Sequence, residues 1–200
     1  MRKKKDTARL YEGAIFPART FTTVGGTPIE VPDPGVGLVH IQFRRFAGCP
    51  ICNLHLRSFA LRSDDLAAAD IRELVIFHST EAELLKYQTD LAFDIVADPE
   101  KELYRAYGVE SSVRSILHPG AWRALPRGWF HAIRRAVRGR RGLLPARPTG
   151  GNLGLPADLL IKSDGRVVAA NYGIHAYDQW SIDEVLALAA TAAGHASPAT

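Results

Sequence analysis

Cys49 and Cys52 are the only cysteines among the 200 residues, and just Pro50 and Ile51 separate them. The pair falls where one hydrophobic pattern gives way to another. Before it, in Leu38–Phe46 (LVHIQFRRF), Val39, Ile41 and Phe43 alternate with His40 and Gln42, the period of a core strand. After it, Asn53–Ala69 reads as a helix with Leu54, Phe59, Leu61 and Leu66 as its apolar positions. A C-x-x-C at such a junction requires a strand that ends where a helix begins, with two thiols at the helix N-terminus. The spacing itself belongs to redox or metal chemistry.

The setting suits thiol chemistry. Unpaired backbone N–H groups and the helix dipole favour negative charge at a helix N-terminus, and the thiolate is the reactive form of cysteine. Pro50, just inside the helix, has a helix-ready φ and needs no N–H partner. Cys49 then stands at the mouth as nucleophile, with Cys52 one turn in as resolving thiol. Arg44 and Arg45 precede them, and alternation lets only one face the thiols, where it lowers a pKa or holds an oxidant. Two other readings stay open: inert core thiols, and half of a zinc site, which needs about two more ligands. His55 is one turn on, but no second ligand cluster stands out. Asn53 after Cys52 excludes a c-type haem attachment. His78 and His175, at the ends of strand patterns, are candidate acid–base groups, weighed against ordinary surface or core histidines.

Elsewhere strands and helices alternate. Phe21–Val31 reads as a hairpin turning at Gly25-Gly26, followed by the loop Pro32–Gly35. Leu74–Phe77 reads as a buried strand. Thr80 and Glu83 form a capping box for a helix over Glu81–Thr89. Phe93–Val96 is a further strand, and a helix starts at Pro99 and runs to Tyr107, stopped by Gly108. Leu159–Ile161 and Arg166–Asn171 flank an Asp164-Gly165 turn. Ser181 and Glu184 cap a last helix carrying Val185, Leu186 and Leu188.

The net charge of +4 is unevenly spread. Between Glu110 and Asp158 there is no acidic residue but nine arginines, so the remainder of the chain is net acidic. Within this segment Trp129, Ile133 and Val137 recur at every fourth residue of a helix expected over Arg127–Arg138, with Arg134, Arg135 and Arg138 largely off that stripe. The segment reads as an insertion packed on the domain or lying as a lid, ahead of a membrane- or partner-binding helix. Nucleic acid is not expected, since aromatics are not interleaved as a stacking platform. No apolar run approaches a membrane span, and the basic start MRKKKDTARLYEG lacks the apolar stretch of a secretory signal. These features set an expectation of a cytoplasmic protein, a compartment where a lone C-x-x-C is more often catalytic or metal-binding than structural.

Three stretches, FRRFAGCPICNLHLR, LPADLLIKSDGRVVAANYG and DQWSIDEVLALA, give the chain a resemblance to the peroxiredoxin-like, AhpC/TSA-related branch of the thioredoxin-like superfamily. The resemblance covers roughly residues 16–190. It implies an α/β thioredoxin-like fold, a central mixed sheet flanked by helices, with the basic helical insertion (111–150) before a strand entered through a cis proline. That proline is Pro156, which the resemblance places beside the cysteines. Residues 1–15 are then an N-terminal extension and 191–200 a flexible tail. Thioredoxins carry a buried aspartate six residues before the first cysteine, where this chain has Phe43. Typical peroxiredoxins place a proline seven and a threonine three residues before the peroxidatic cysteine. Counting from Cys49 gives Gln42 and Phe46; counting from Cys52 gives Arg45 and puts Cys49 at the threonine position, which leaves Cys52 as the alternative peroxidatic residue.

The resemblance implies a thiol-dependent oxidoreductase without cofactor or metal. Cys49 and Cys52 are its catalytic pair, supported by Pro50, Pro156, Arg44 and Arg45. The first expectation is a peroxidase that turns over hydroperoxides through a dithiol/disulfide cycle, with a thioredoxin-like protein or a low-molecular-weight thiol as reductant. A general disulfide oxidoreductase is the second. A redox-sensing binding module that recruits a partner through the arginine-rich insertion is the third. The resemblance also leaves room for a homodimer.

Overall fold

The computed structural model describes residues 9–87, 93–109, 149, 151 and 154–194. In chain order their elements are β1 (Arg19–Thr22), β2 (Pro28–Val31), β3 (Leu38–Arg44), α1 (Pro50–Ala60), α2 (Ser63–Ala68), β4 (Ile71–Phe77), α3 (Glu81–Tyr87), β5 (Asp94–Ala97), α4 (Glu102–Ala106), β6 (Ala157–Lys162), β7 (Val167–Tyr172) and α5 (Ile182–Gly194). The helix expected over 127–138 lies outside the described residues. β1 and β2 form the expected hairpin, with Phe21 opposite Ile29. The other strands form one mixed sheet in the order β5-β4-β3-β6-β7. β3, β4 and β5 run parallel, as crossovers through α1–α2 and α3 require, and β6 and β7 are antiparallel.

β3 is the centre of the sheet, and all seven of its residues are buried. Its odd-numbered residues Val39, Ile41 and Phe43 pack with Leu74, Ile76, Leu159 and Ile161 against the β1–β2 hairpin and against Leu103, Tyr104 and Tyr107. On the other side Leu38 and Leu160 meet Phe59 and Leu66, with Ile182, Val185 and Ala189 of α5. The alternation of His40 and Gln42 with apolar residues is therefore not a solvent-facing pattern. Helices cover both faces, and the polar side chains find partners inside.

Three local expectations change. The single helix over Asn53–Ala69 is two helices, because the chain breaks at Leu61 and Arg62 (φ −124°) and restarts at Ser63 with Asp64 and Asp65 in its first turn. The break leaves Leu61 72% exposed instead of in the core. The helix expected from Pro99 begins at Glu102, since Lys101 takes a left-handed conformation (φ 56°). The Asp98 carboxylate there accepts the N–H groups of Glu102, Leu103 and Tyr104, at 2.8, 2.8 and 3.3 Å. Finally, among the described residues the cis peptide bond is Val31–Pro32, so Leu155–Pro156 is trans. Among the described residues, 154–156 form no turn before β6, and without a tight turn there to fix the cis form the favoured trans isomer stands. Both capping boxes form: Glu83 N–H donates to Thr80 Oγ1 and Thr80 N–H to Glu83, and Ser181 and Glu184 repeat the exchange.

Candidate active site

The two cysteines sit beyond the carboxyl ends of the central parallel strands, the side of an α/β sheet where ligand sites form. The chain leaves β3 at Arg44 and turns through Gly48 (φ 80°), a conformation that costs glycine little. It then enters α1 with Cys49 as N-cap and Pro50 in the first turn. The Asn53 N–H donates to the Cys49 carbonyl at 2.9 Å, closing that turn. Both thiols are free and each is only 1% exposed. Phe46, Ile51 and Ala176 close over them.

Burial alone would raise both thiol pKa values, yet the two diverge. Cys49 is held down at about 6, first by a hydrogen bond from the Cys52 thiol, then by the charge of Arg45 and the backbone N–H groups of Cys52 and Ile51. Cys52 moves well above the ordinary thiol value, because it donates that hydrogen bond, is buried and faces the Cys49 charge. The arrangement is one thiolate at the helix mouth, with a protonated thiol beneath it.

The two arginines part as alternation requires. Arg45 Nη1 donates to Cys49 Sγ across 3.7 Å, with its guanidinium 5.3 Å above the Phe46 ring. Arg44 turns to the opposite face and is fully buried. Its Nη2 donates to Asp158 Oδ1 at 2.6 Å and to His55 Nε2 at 3.1 Å, and its Nε donates to Gln42 Oε1 at 2.9 Å. Gln42 donates on to Glu73, which also accepts from His40 Nδ1 at 2.9 Å. Burial would discharge His40, but the carboxylates of Glu73 and Asp158 raise it to about 9, so it stays an imidazolium. His55 is pushed well below 6.5 by burial and by Arg44, and its neutral ring accepts. Two cations and two carboxylates thus balance beneath α1.

Pro156 stands at the entry to β6, where its carbonyl accepts the Gly173 N–H at 2.9 Å. Ala176, in the loop after β7, packs on the thiols. His175 belongs to the same loop, its Nδ1 accepting the Tyr177 N–H at 3.2 Å. His78 lies beside Arg45, its backbone N–H donating to the Arg45 carbonyl at 3.2 Å. Sequence reasoning missed Tyr104. Its hydroxyl donates to the carbonyls of Arg44 and Ile76, the latter at 2.9 Å, and so ties the ends of β3 and β4 together. Nothing local marks a tyrosine sixty residues away for that task. Among the described residues no group of three or more His, Cys, Asp or Glu side chains is placed to hold a metal, and no helix is long and apolar enough to cross a membrane.

A family model described as AhpC/TSA antioxidant enzyme matches residues 58–174, from the second half of α1 to just beyond β7. The match begins six residues after Cys52. Among curated proteins none matches. Among solved structures, peroxidoxin BcpB from Mycobacterium tuberculosis aligns at 15% identity and TM-score 0.62, over 94% of this chain and 100% of that one. The reduced 2-Cys peroxiredoxin of Plasmodium vivax aligns at 13% and 0.62, over 93% and 83%. A Chlorobium tepidum protein described as thiol:disulfide interchange protein DsbE aligns at 15% and 0.57, over 90% and 99%. At these identities the likeness is one of fold.

Proposed function

The chain belongs to the AhpC/TSA antioxidant enzyme family and is a thiol-dependent oxidoreductase, and from that premise we propose that it reduces hydroperoxides at Cys49, with Cys52 as the resolving thiol. The observation that carries this reading is the opposite displacement of the two thiols, with the Arg45 guanidinium against the lower one. The Cys49 thiolate attacks the terminal peroxide oxygen. The O–O bond breaks, an S–O bond forms, the sulfur is oxidised to a sulfenic acid and the leaving alkoxide takes up a proton. Cys52 then condenses with the sulfenic acid, releasing water and closing the disulfide. An external thiol restores the pair by exchange. We assign that role to a thioredoxin-like protein or a low-molecular-weight thiol, and place the cycle in a reducing compartment, the cytoplasm. Pro50 supports the geometry as the first helical residue, Arg45 supports the charge, and Arg44 and Pro156 act through the scaffold.

The 1% exposure of Cys49 favours a small oxidant over a protein disulfide, whose sulfur must reach the thiolate in line. The test is single-turnover reaction with hydrogen peroxide. Cys52→Ser should form a trappable sulfenic acid at Cys49 far faster than a free thiol, and Cys49→Ser should not. Rapid consumption by Cys49→Ser alone would transfer the peroxidatic role to Cys52.

A further inference from the structure

His78 is fully buried, and among the described residues neither of its ring nitrogens has a hydrogen-bond partner. A buried imidazole without partners bears the full cost of its lost hydration, and such a group in a native fold calls for an explanation. Packing alone is a poor one. The ring lies edge-on to Tyr104, centroids 5.5 Å apart, and 6.5 Å from the Phe46 ring, surroundings a phenylalanine would fill without the penalty.

Its position is more telling. Arg44 and Phe77 are the last register pair of the neighbouring parallel strands β3 and β4. Arg45 and His78 are therefore the first residues beyond the carboxyl ends, side by side. The guanidinium of Arg45 reaches Cys49 Sγ, while its stem shares a surface with the imidazole: a Cβ built on Gly154 would meet His78 Nε2 at 2.6 Å and Arg45 Cγ at 3.6 Å. Arg45 and His78 thus leave the sheet as neighbours, one reaching Cys49 Sγ and the other an unpartnered imidazole beside its stem.

Reduction of a hydroperoxide by the Cys49 thiolate needs one thing more than a thiolate and a cation, a hydrogen bond to the oxygen that leaves as the O–O bond breaks. We propose that His78 supplies it, its ring N–H binding the leaving oxygen of the hydroperoxide while Arg45 holds the oxidant against Cys49. Burial, and the charges of Lys101 and Arg45, keep the ring neutral with a pKa of about 3. A neutral imidazole can stabilise a developing oxyanion without giving up its proton. The electron pair comes from Cys49 sulfur, which is oxidised to the sulfenic acid. The peroxide is reduced to an alcohol or water, with the proton drawn from solvent. This assignment rests on Cys49 being the thiol that meets the oxidant.

The test uses the full chain with Cys52→Ser, so that only Cys49 reacts, and compares three reagents by stopped flow. Iodoacetamide reads the availability of the thiolate. Hydrogen peroxide reads the whole step. Peracetic acid, whose leaving acetate is a much weaker base, reads the step with the need for the hydrogen bond reduced. His78→Phe should slow the hydrogen peroxide reaction by about 100-fold, slow peracetic acid much less, and leave alkylation within about twofold of the parent, a difference too small to matter to the barrier. His78→Gln, which restores an N–H donor, should recover most of the loss. Gly154→Ala, whose methyl group would displace the ring, should slow peroxide selectively in a chain that keeps the imidazole. Equal loss with all three reagents would make His78 a structural support, and an unchanged peroxide rate would remove it from the step; either overturns the proposal. Rapid peroxide reaction by Cys49→Ser would instead overturn the assignment of Cys49, and this proposal with it.

Discussion

The Arg44 guanidinium and the Asp158 carboxylate meet at 2.6 Å, with neither side chain exposed. The pair joins the last residue of β3 to the start of β6 and lies directly beneath α1, where Arg44 also donates to His55. A buried pair can be worth little relative to apolar residues, but removing one partner strands the other charge. Asp158→Asn should therefore cost about 3–5 kcal/mol, measured by urea unfolding. Arg44→Met combined with Asp158→Leu should cost much less than the single change. A single variant with near-native stability would mean that the pair carries no such charge penalty.

A second prediction concerns the far end of the same network. His40 has a folded pKa near 9 against 6.5 for an ordinary histidine, since Glu73 and Asp158 outweigh the effect of burial. The folded state thus binds the proton more tightly than the unfolded chain does. The stabilisation is fully present below about pH 6.5 and is lost as pH rises through about 9, with a ceiling of about 3 kcal/mol. Urea unfolding between pH 6 and 10 should show stability falling from about pH 6.5 to about pH 9 and levelling off above it. His40→Gln should flatten the fall, and an equal slope in both proteins would exclude His40 as its source.

This network also marks the limit of what the sequence discloses. The thiol site was legible because its signals are local: two cysteines, a proline after the first, a strand pattern before and a helix pattern behind. The capping boxes at Thr80 and Ser181 were legible for the same reason, each being complete within four residues. His40 and Gln42 read as ordinary polar alternation, because burial on the second face depends on α1 and α5 packing there, and their partners Glu73 and Asp158 lie on other strands. Family resemblance placed a cis bond at Pro156, but isomer choice depends on the turn around it, and the described residues 154–156 form none. The break at Leu61 also escaped, since an irregular apolar spacing does not say where a helix stops.

The third prediction is a titration. Cys49 should ionise near pH 6, read by thiolate absorbance or by the pH dependence of alkylation, while Cys52 stays protonated through neutral pH. The rate should rise through pH 6 and level off above pH 7. Cys52→Ala removes the largest stabilising contact of the thiolate and Arg45→Met the nearby cation, so each should move the midpoint upward, the cysteine change further. A midpoint that ignores both substitutions would mean that the helix terminus alone sets the thiolate.

Asp98 tests whether the scaffold behind the thiols is held by one carboxylate. It caps α4 through three backbone N–H groups and thereby fixes Tyr104, whose hydroxyl spans β3 and β4. Asp98→Ala should cost about 1–2 kcal/mol as a lost cap. Tyr104→Phe should cost about as much by leaving two buried carbonyls a partner short. Because both act on the same brace, the double variant should lose less than the sum of the singles. Strict additivity would show that cap and brace work independently.

Gly173 connects the Pro156 strand entry to the loop that covers the thiols, and it has no room for a side chain. A Cβ there would overlap the Asp178 carbonyl oxygen and stand 2.8 Å from Pro156 Cγ. Neither obstacle yields easily, one being backbone and the other a ring. The loop is tightly braced: the Ile174 N–H donates to Asp178 Oδ2 at 2.8 Å and the Asp178 N–H to the His175 carbonyl at 3.1 Å. Strain at Gly173 must therefore displace the loop as a unit, and Ala176 with it. Gly173→Ala should cost about 1–3 kcal/mol as overpacking. It should also speed alkylation of both thiols by opening their cover, whereas Gly25→Ala, where the nearest atom is 3.8 Å from the new Cβ, should change neither. If Gly173→Ala destabilised the protein but left thiol accessibility unchanged, Ala176 would not be what closes the site.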